Sequence, residues 1–401
     1  MAGAAGAGAD ATTVTLPGRS LADRAADVAS IAALHADDVD ARARFPREAV
    51  DALRENGLLG AAVPEHLGGE GATVSELAAV ATVLSEACSA TGMIYVMHQI
   101  QVLCLTRHGG ESRAVVDLLR GVASGGVLLA SATTELGIGG NTRTSSCAVV
   151  PGAAGRVILE KTAPVISYGA YADAILTTAR RTPDSVPSDQ VLVLCDAADT
   201  VLTPISEWDT LGFRGTCSPG FELRADVPAD HVLPAEYATI SAETMLPVSH
   251  ILWAAVWLGI ANAATERARS VTVTAARKAI GTLPPSATRL AELLGDLEVF
   301  AALVRDSART FDEVADDRAA LTTIPMAMRF NSLKITSSET VIEIVSTAML
   351  ITGIAGYRLD SDVSVGRQLR DSYGTAVMVN NDRILANNAQ LSLLTRKKAA
   401  R

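Results

Sequence analysis

The 401-residue chain lacks several features that would each point to a class of function. It has no excess of basic residues. Lys and Arg total 34 against 44 Asp and Glu, a net charge of −10, so no basic face is available to displace counterions from a nucleic acid. It has no cysteine pattern. The five cysteines, Cys88, Cys104, Cys147, Cys195 and Cys217, are odd in number, scattered and without C-x-x-C spacing. Such a set predicts reduced thiols in a cytoplasmic protein rather than a disulfide framework or a metal site. No uninterrupted apolar run reaches the roughly 20 residues of a membrane span. The opening MAGAAGAGADATTVTL lacks the basic and continuous apolar regions of a signal peptide, and residues 1–19 read as a disordered leader. Beyond that leader there is no low-complexity segment and no internal repeat.

What is present is a large apolar fraction, 49% of residues, enough for one large domain or two to three smaller ones. Its periodicity changes twice. Over residues 20–126, Ala, Leu and Val recur at helical spacing through Leu21–Ala36, Arg47–Asn56, Val74–Ser89 and Ser112–Arg120. Gly57, Gly68-Gly69 and Gly109-Gly110 stand where helix C-caps belong. Over 127–237, β-branched runs at Val127–Ala132, Arg156–Leu159, Ala174–Thr178 and Val191–Cys195 alternate with turn residues, which predicts a small β domain. Over 238–401 the chain is helical again, with long apolar stretches at Ser249–Val271, Glu292–Asp312 and Met326–Thr352. Helices apolar over so much of their surface predict a four-helix bundle that also makes oligomer contacts, as a homodimer or homotetramer.

The segment Ala348–Asp382, AMLITGIAGYRLDSDVSVGRQLRDSYGTAVMVNND, carries the most chemistry. An apolar run ends in a glycine-rich turn, Gly353-Ile354-Ala355-Gly356-Tyr357, followed by Arg367, Arg370 and Asp371 and then Asn380-Asn381-Asp382. Glycines let a backbone turn tightly and approach a ligand. The residues alone support either a corner that contacts phosphate or simple structural punctuation.

The pattern resembles the C-terminal segment of the acyl-CoA dehydrogenases, which reads G-G-Y-G-Y, then E-R-x-x-R-D, then a loop with the catalytic glutamate in E-G-T. Gly353, Gly356 and Tyr357 fit the first part, and Arg367, Arg370 and Asp371 fit the second. The opening FPREAVDALRENGLLGAAVPEHLGGEG, residues Phe45–Gly71, is a long, ungapped match to the same family. The resemblance implies an α+β fold: an N-terminal helical domain, a small central β-barrel and a C-terminal four-helix bundle, with FAD between the barrel and the bundle.

Two segments of the β domain resemble the family's flavin loops. Thr133-Thr134-Glu135-Leu136-Gly137-Ile138-Gly139-Gly140-Asn141 is similar to T-E-P-G-A-G-S-D, and its hydroxyls and bare N–H groups suit flavin oxygens and phosphates. Val165-Ile166-Ser167 is similar to W-I-T: Ser167 keeps the hydroxyl beside the reactive ring, whereas Val165 replaces the aromatic cover and leaves more room. Trp208–Ser218 fits the family's G-x-R-G-T-x-S turn, and a structural arginine is as good a reading of Arg214 as a ligand contact. Arg277 loosely resembles the R-x-x-F-G arginine, which implies contact with a flavin phosphate across a subunit interface. His98 falls where relatives carry a histidine, and its residue type favours a packed side chain over a ligand contact.

The resemblance fails at one position. Eight residues after Asp371, where the family places its glutamate, stands Val379, followed by Asn380. A dehydrogenase needs a base within reach of the proton next to the thioester carbonyl, and valine cannot accept a proton. Some relatives carry the base on the long helix instead. That position is Ser249 here, with His250 beside it, an imidazole suited to proton transfer; a histidine replacing the arginine of that region is the structural alternative. Asp371 matches the family's structural aspartate. Three functions follow. The first is an enzyme oxidising an acyl thioester, on coenzyme A or a carrier protein, with electron-transfer flavoprotein as acceptor. The second is a monooxygenase on the same fold, taking reduced flavin, FAD or FMN, from a partner reductase. The third is a non-catalytic subunit paired with an active homologue. The sequence leans slightly to the thioester enzyme.

Overall fold

The structure, a computed structural model, describes residues 18–394 apart from Glu111, Gly139, Gly140 and Ala279. The expected leader lies outside these residues except for its last two.

Five helices come first: α1 (Leu21–Arg42), α2 (Arg47–Glu55), α3 (Val74–Ala87), α4 (Ser89–His108) and α5 (Arg113–Ala123). Local chemistry starts two of them. Ser20 with Asp23, and Thr73 with Glu76, form reciprocal capping boxes. Gly57, Gly68 and Gly110 adopt the left-handed backbone that follows a helix or turn. The α4 helix was not resolved as a separate period in the sequence, because apolar residues surround it on every side and almost all of it is buried.

The middle of the chain forms seven strands: β1 (Leu129–Ala132), β2 (Val150–Pro151), β3 (Arg156–Ala163), β4 (Ala174–Arg180), β5 (Gln190–Asp196), β6 (Thr200–Pro204) and β7 (Phe221–Pro228). They make two sheets, ordered β1-β4-β5 and β2-β3-β7-β6, with β1 parallel to β4 and the other pairs antiparallel. The β7 strand alternates strictly between buried and solvent-facing residues, the mark of a sheet with one wet face.

The rest is helical: α6 (Tyr237–Ile240), a π turn at Ser241–Met245, α7 (Leu246–Lys278), α8 (Ser286–Val314), α9 (Arg318–Leu321), α10 (Ile324–Tyr357), α11 (Gly366–Val377) and α12 (Asn381–Leu394). The central member is α7. It packs against α10, α8 and α11 of its own bundle and against α3 and α4 of the first domain. This is why twenty of its residues, Trp257 among them, are buried. The glycine-rich turn expected at Gly353 is instead a kink inside α10: Gly353 takes φ 60°, ψ −143°, and the helix resumes to Tyr357.

Among the described residues, two helices are long and apolar enough to cross a membrane. The most apolar 18-residue window of the Tyr237–Lys278 stretch is 94% buried inside the protein, as in a core helix, whereas that of α10 is 39% buried. Leu350, Ile354, Tyr357 and Leu359 stay exposed along and just beyond its C-terminal end.

Candidate active site

A cavity of about 640 Å3 opens between the β domain and the helices, within the size range of small-ligand sites. One wall carries hydroxyls: Thr133 and Thr134 after β1, Ser167 after β3, and Thr216 and Ser218 before β7. The facing wall is apolar, from Met93 and Met97 of α4, Trp253 of α7, Val377 at the end of α11 and Met378 and Val379 beyond it. Val165 lines it as well. Of the lining residues only Arg370 carries a charge, and none is a carboxylate or a histidine.

The hydroxyl wall is set by its own bonds. Thr134 Oγ1 donates to the Val165 carbonyl at 3.3 Å, joining the two loops. Ser218 Oγ donates to Ser167 Oγ at 3.0 Å, which leaves the Ser167 proton free to donate into the cavity. Next to Thr134, Glu135 turns away and is buried. It accepts from Ser145 Oγ at 2.6 Å and from the Cys147 N–H at 2.9 Å, also accepts from Ser146, and lies 3.9 Å from Lys161 Nζ. Burial pushes its pKa up, but the bonds from Ser145 and Ser146, the lysine charge and the Cys147 N–H outweigh this and hold it below the usual value. Glu135 therefore anchors the loop.

The opposite corner depends on Asp371. Buried within α11, it accepts from the Phe213 N–H at 2.6 Å and from Ser89 Oγ, so it ties the Gly212 loop to α4 and α11. Burial raises its pKa. A Cβ on Gly212 would stand 2.4 Å from the Arg370 carbonyl oxygen, so only glycine permits this approach. Arg370 pairs with Asp40 of α1 and Arg367 with Asp37. These arginines, with Arg214 and Arg267, line a second, polar cleft of about 920 Å3 that shares Thr210, Leu211 and Arg370 with the first cavity. Arg267 Nε is buried without a hydrogen-bond partner.

Residues 19–126 match the acyl-CoA dehydrogenase N-terminal domain and residues 240–388 the C-terminal domain. The chain belongs to the acyl-CoA dehydrogenase family.

Among its relatives, the amino sugar nitrososynthase DnmZ of Streptomyces peucetius is 26% identical over 82% of this chain and 84% of its own. Cyclohex-1-ene-1-carbonyl-CoA dehydrogenase of Geobacter metallireducens is also 26% identical, over 86% and 90%. Butyryl-CoA dehydrogenase of Megasphaera elsdenii superposes with a TM-score of 0.80 at 20% identity, covering 95% of this chain and all of that one. KijD3 in complex with dTDP superposes at 0.81 and 25%, covering 95% and 98%. The protein is thus a flavin-dependent oxidoreductase of this family. The cavity fits a flavin, FMN or FAD: a flat ring between apolar faces, with hydroxyls along one edge and the free Ser167 proton available to it.

The structure brings Thr134, Val165, Ser167 and Val379 into one cavity and places the other expected residues that it describes elsewhere. His250 is absent from the lining. It is buried in α7, its Nδ1 donates to the Phe330 carbonyl at 3.0 Å, and burial lowers its pKa to about 3. Asn380 is exposed, and its Oδ1 accepts from the Asp382 N–H at 2.7 Å at the start of α12. Asn141 shapes its own turn by accepting from the Arg143 N–H at 3.2 Å. Gly139 and Gly140 lie outside the described residues. Arg277 is exposed at the end of α7, and Gly353 and Gly356 lie at the end of α10, none of them lining the cavity. His98 is packed: its Nε2 donates to the Leu59 carbonyl and its Nδ1 accepts the Leu129 N–H, each at 3.0 Å, joining α4 to β1. Arg214 is structural, donating to the Asp40 and Thr210 carbonyls, both at 2.8 Å. Met93, Met97, Trp253 and Tyr373 were not singled out from the sequence, since apolar side chains on a lining wall look like core until the fold places them.

Proposed function

We propose that the protein is a flavin-dependent monooxygenase that takes reduced flavin from a partner reductase and oxygenates a heteroatom, an amine first of all, of a small substrate. The observation that carries this reading is that no carboxylate or histidine stands among the described residues lining the cavity: Val379 occupies the glutamate position. When bound and reduced, the flavin supplies the activation of oxygen. Met93, Met97, Trp253 and Val377 exclude water from the reacting centre, and Ser167 offers a hydrogen bond to the ring. The small side chain of Val165 leaves room beside the ring. Two relatives are nitrososynthases, DnmZ and, at 29% identity, the L-evernosamine enzyme of a Micromonospora species, which supports nitrogen as the target. The adjoining polar cleft carries Arg214, Arg267, Arg367 and Arg370 among Asp37, Asp40, Asp360 and Asp362, with Arg367 and Arg370 paired to Asp37 and Asp40, so its charges are balanced. Thr134, Val165 and Ser167 form the flavin edge; His250 is assigned a packing role and Asn380 a helix-capping role. The exposed apolar residues of α10 support a homodimer or homotetramer.

The cyclohexene-carbonyl-CoA dehydrogenases among the relatives support a second reading, thioester dehydrogenation with a base outside the present lining. One experiment separates the two. The purified protein is mixed anaerobically with acyl-CoA thioesters, and separately, in air, with a flavin reductase, NADH and a dTDP-amino sugar. Amine oxidation that requires the reductase supports monooxygenation. Flavin bleaching by a thioester without any reductase would overturn it in favour of dehydrogenation.

A further inference from the structure

We propose that Lys334 is the positioning residue of this cavity: its ammonium group fixes the corner between α11 and α12 and so sets where Val377–Val379 stand over the reaction site. Lys334 lies in α10 and is fully buried. Its Nζ donates to three acceptors: the Val379 carbonyl at 2.6 Å, Asn381 Oδ1 at 2.6 Å and the Thr375 carbonyl at 3.2 Å. An ammonium has three donors and no acceptor, so all three are committed to one corner. The same ammonium lies 5.7 Å from the centre of the Trp257 ring, a cation–π distance. Its partners are fixed in turn, since Asn381 Nδ2 donates to Ser338 Oγ and Thr375 Oγ1 to the Ser338 carbonyl, each at 3.0 Å.

The corner needs this support for two reasons. Thr375 is in the last turn of α11, where carbonyls lose their intrahelical partners and the helix dipole is negative. Val379 has φ 59°, a left-handed conformation that a β-branched residue avoids. A cation that binds the Val379 and Thr375 carbonyls holds the chain in a shape its own side chain resists. Val379 also lines the cavity, so a backbone shift there moves the wall. The inference rests on the reading of this cavity as the flavin and substrate site, but the clamp itself can be tested without that reading.

The test compares the full-length wild type, Lys334→Met and Lys334→Met/Val379→Gly by amide hydrogen exchange and by FMN fluorescence titration. In Lys334→Met, amides of residues 372–384 should exchange about tenfold faster while those of α7 keep the wild-type rate. FMN affinity should weaken by about the same factor. Glycine adopts the left-handed backbone freely, so in the double variant both protection and FMN affinity should largely return. Recovery of this kind is not expected if Lys334 merely fills core space. Wild-type exchange at residues 372–384 in Lys334→Met overturns the proposal, as does faster exchange spread equally over α7 and α10, or no recovery with Val379→Gly. If Lys334→Met does not fold, Asn381→Ala removes one of the three acceptors, and unchanged protection of the corner in that variant overturns the proposal. A wild type that binds neither FMN nor FAD refutes the reading of the cavity, while the exchange comparison still decides the clamp.

Discussion

Acid should unfold this protein through three buried histidines that the fold keeps neutral, His98, His250 and His108, the last held against Thr244 and lowered by burial to about 4. His98 is buried between α4 and β1 with both ring nitrogens bonded to backbone, and burial lowers its pKa to about 4. His250 is buried in α7 against the Phe330 carbonyl, with a value lowered to about 3. In the unfolded chain each titrates near 6.5. Because the folded values lie below the unfolded one, the stabilisation is complete above about pH 6.5 and is lost as pH falls toward the folded values. Within that window the unfolded state holds one more proton per histidine, a slope of about 1.4 kcal/mol per pH unit each. At pH 5 His98 and His250 together cost about 4 kcal/mol, a large share of a typical domain's stability, and His108 adds to it in the same direction. Asp371 and Glu86, whose values are raised by burial, act in the opposite direction. A difference measurement removes them. In His250→Gln the amide N–H can still reach the Phe330 carbonyl but no longer titrates. Urea unfolding at pH 7 and pH 5 should then show a loss smaller by about 2 kcal/mol than in the wild type. An equal loss in both proteins would mean that His250 takes up its proton in the folded state. That would refute its burial as the cause and return it to consideration as a base.

Three further outcomes test the site. Ser167→Ala should weaken flavin binding by about 1 kcal/mol, the value of one hydrogen bond, read by fluorescence titration; unchanged affinity and redox behaviour would remove Ser167 from the flavin edge. Gly212→Ala should cost about 1–3 kcal/mol in thermal unfolding, because the new Cβ would meet the Arg370 carbonyl oxygen at 2.4 Å; a wild-type melting temperature would show that the loop can give way. Val379→Glu should lower reductase-dependent oxygenation, since the new carboxylate enters an apolar wall and is poorly solvated there. Thioester-driven bleaching gained by that variant would instead identify a dehydrogenase site lacking only its base.

The order of helical domain, β domain and helical bundle was legible in the sequence because periodicity is local. The alternating residues of β3, the short apolar runs of β4 and β5 and the capping box ahead of α3 carry their own instructions. The meeting of two loops at one cavity was legible too, since Thr134 and Ser167 sit in short motifs whose spacing survives even where Val165 has replaced the aromatic residue. The mismatch at Val379 could also be counted off from Asp371. Only the tertiary structure decided what surrounds that position. His250 looked suited to proton transfer because its residue type says nothing of burial, and the packing of α7 against α10 removed it from the cavity. Lys334 gave no signal in an apolar helix, yet it meets Val379, 45 residues away in the chain, at 2.6 Å. Side-chain chemistry is written locally, but which groups share a cavity, and which lose their water, is fixed by contacts between residues far apart in the chain.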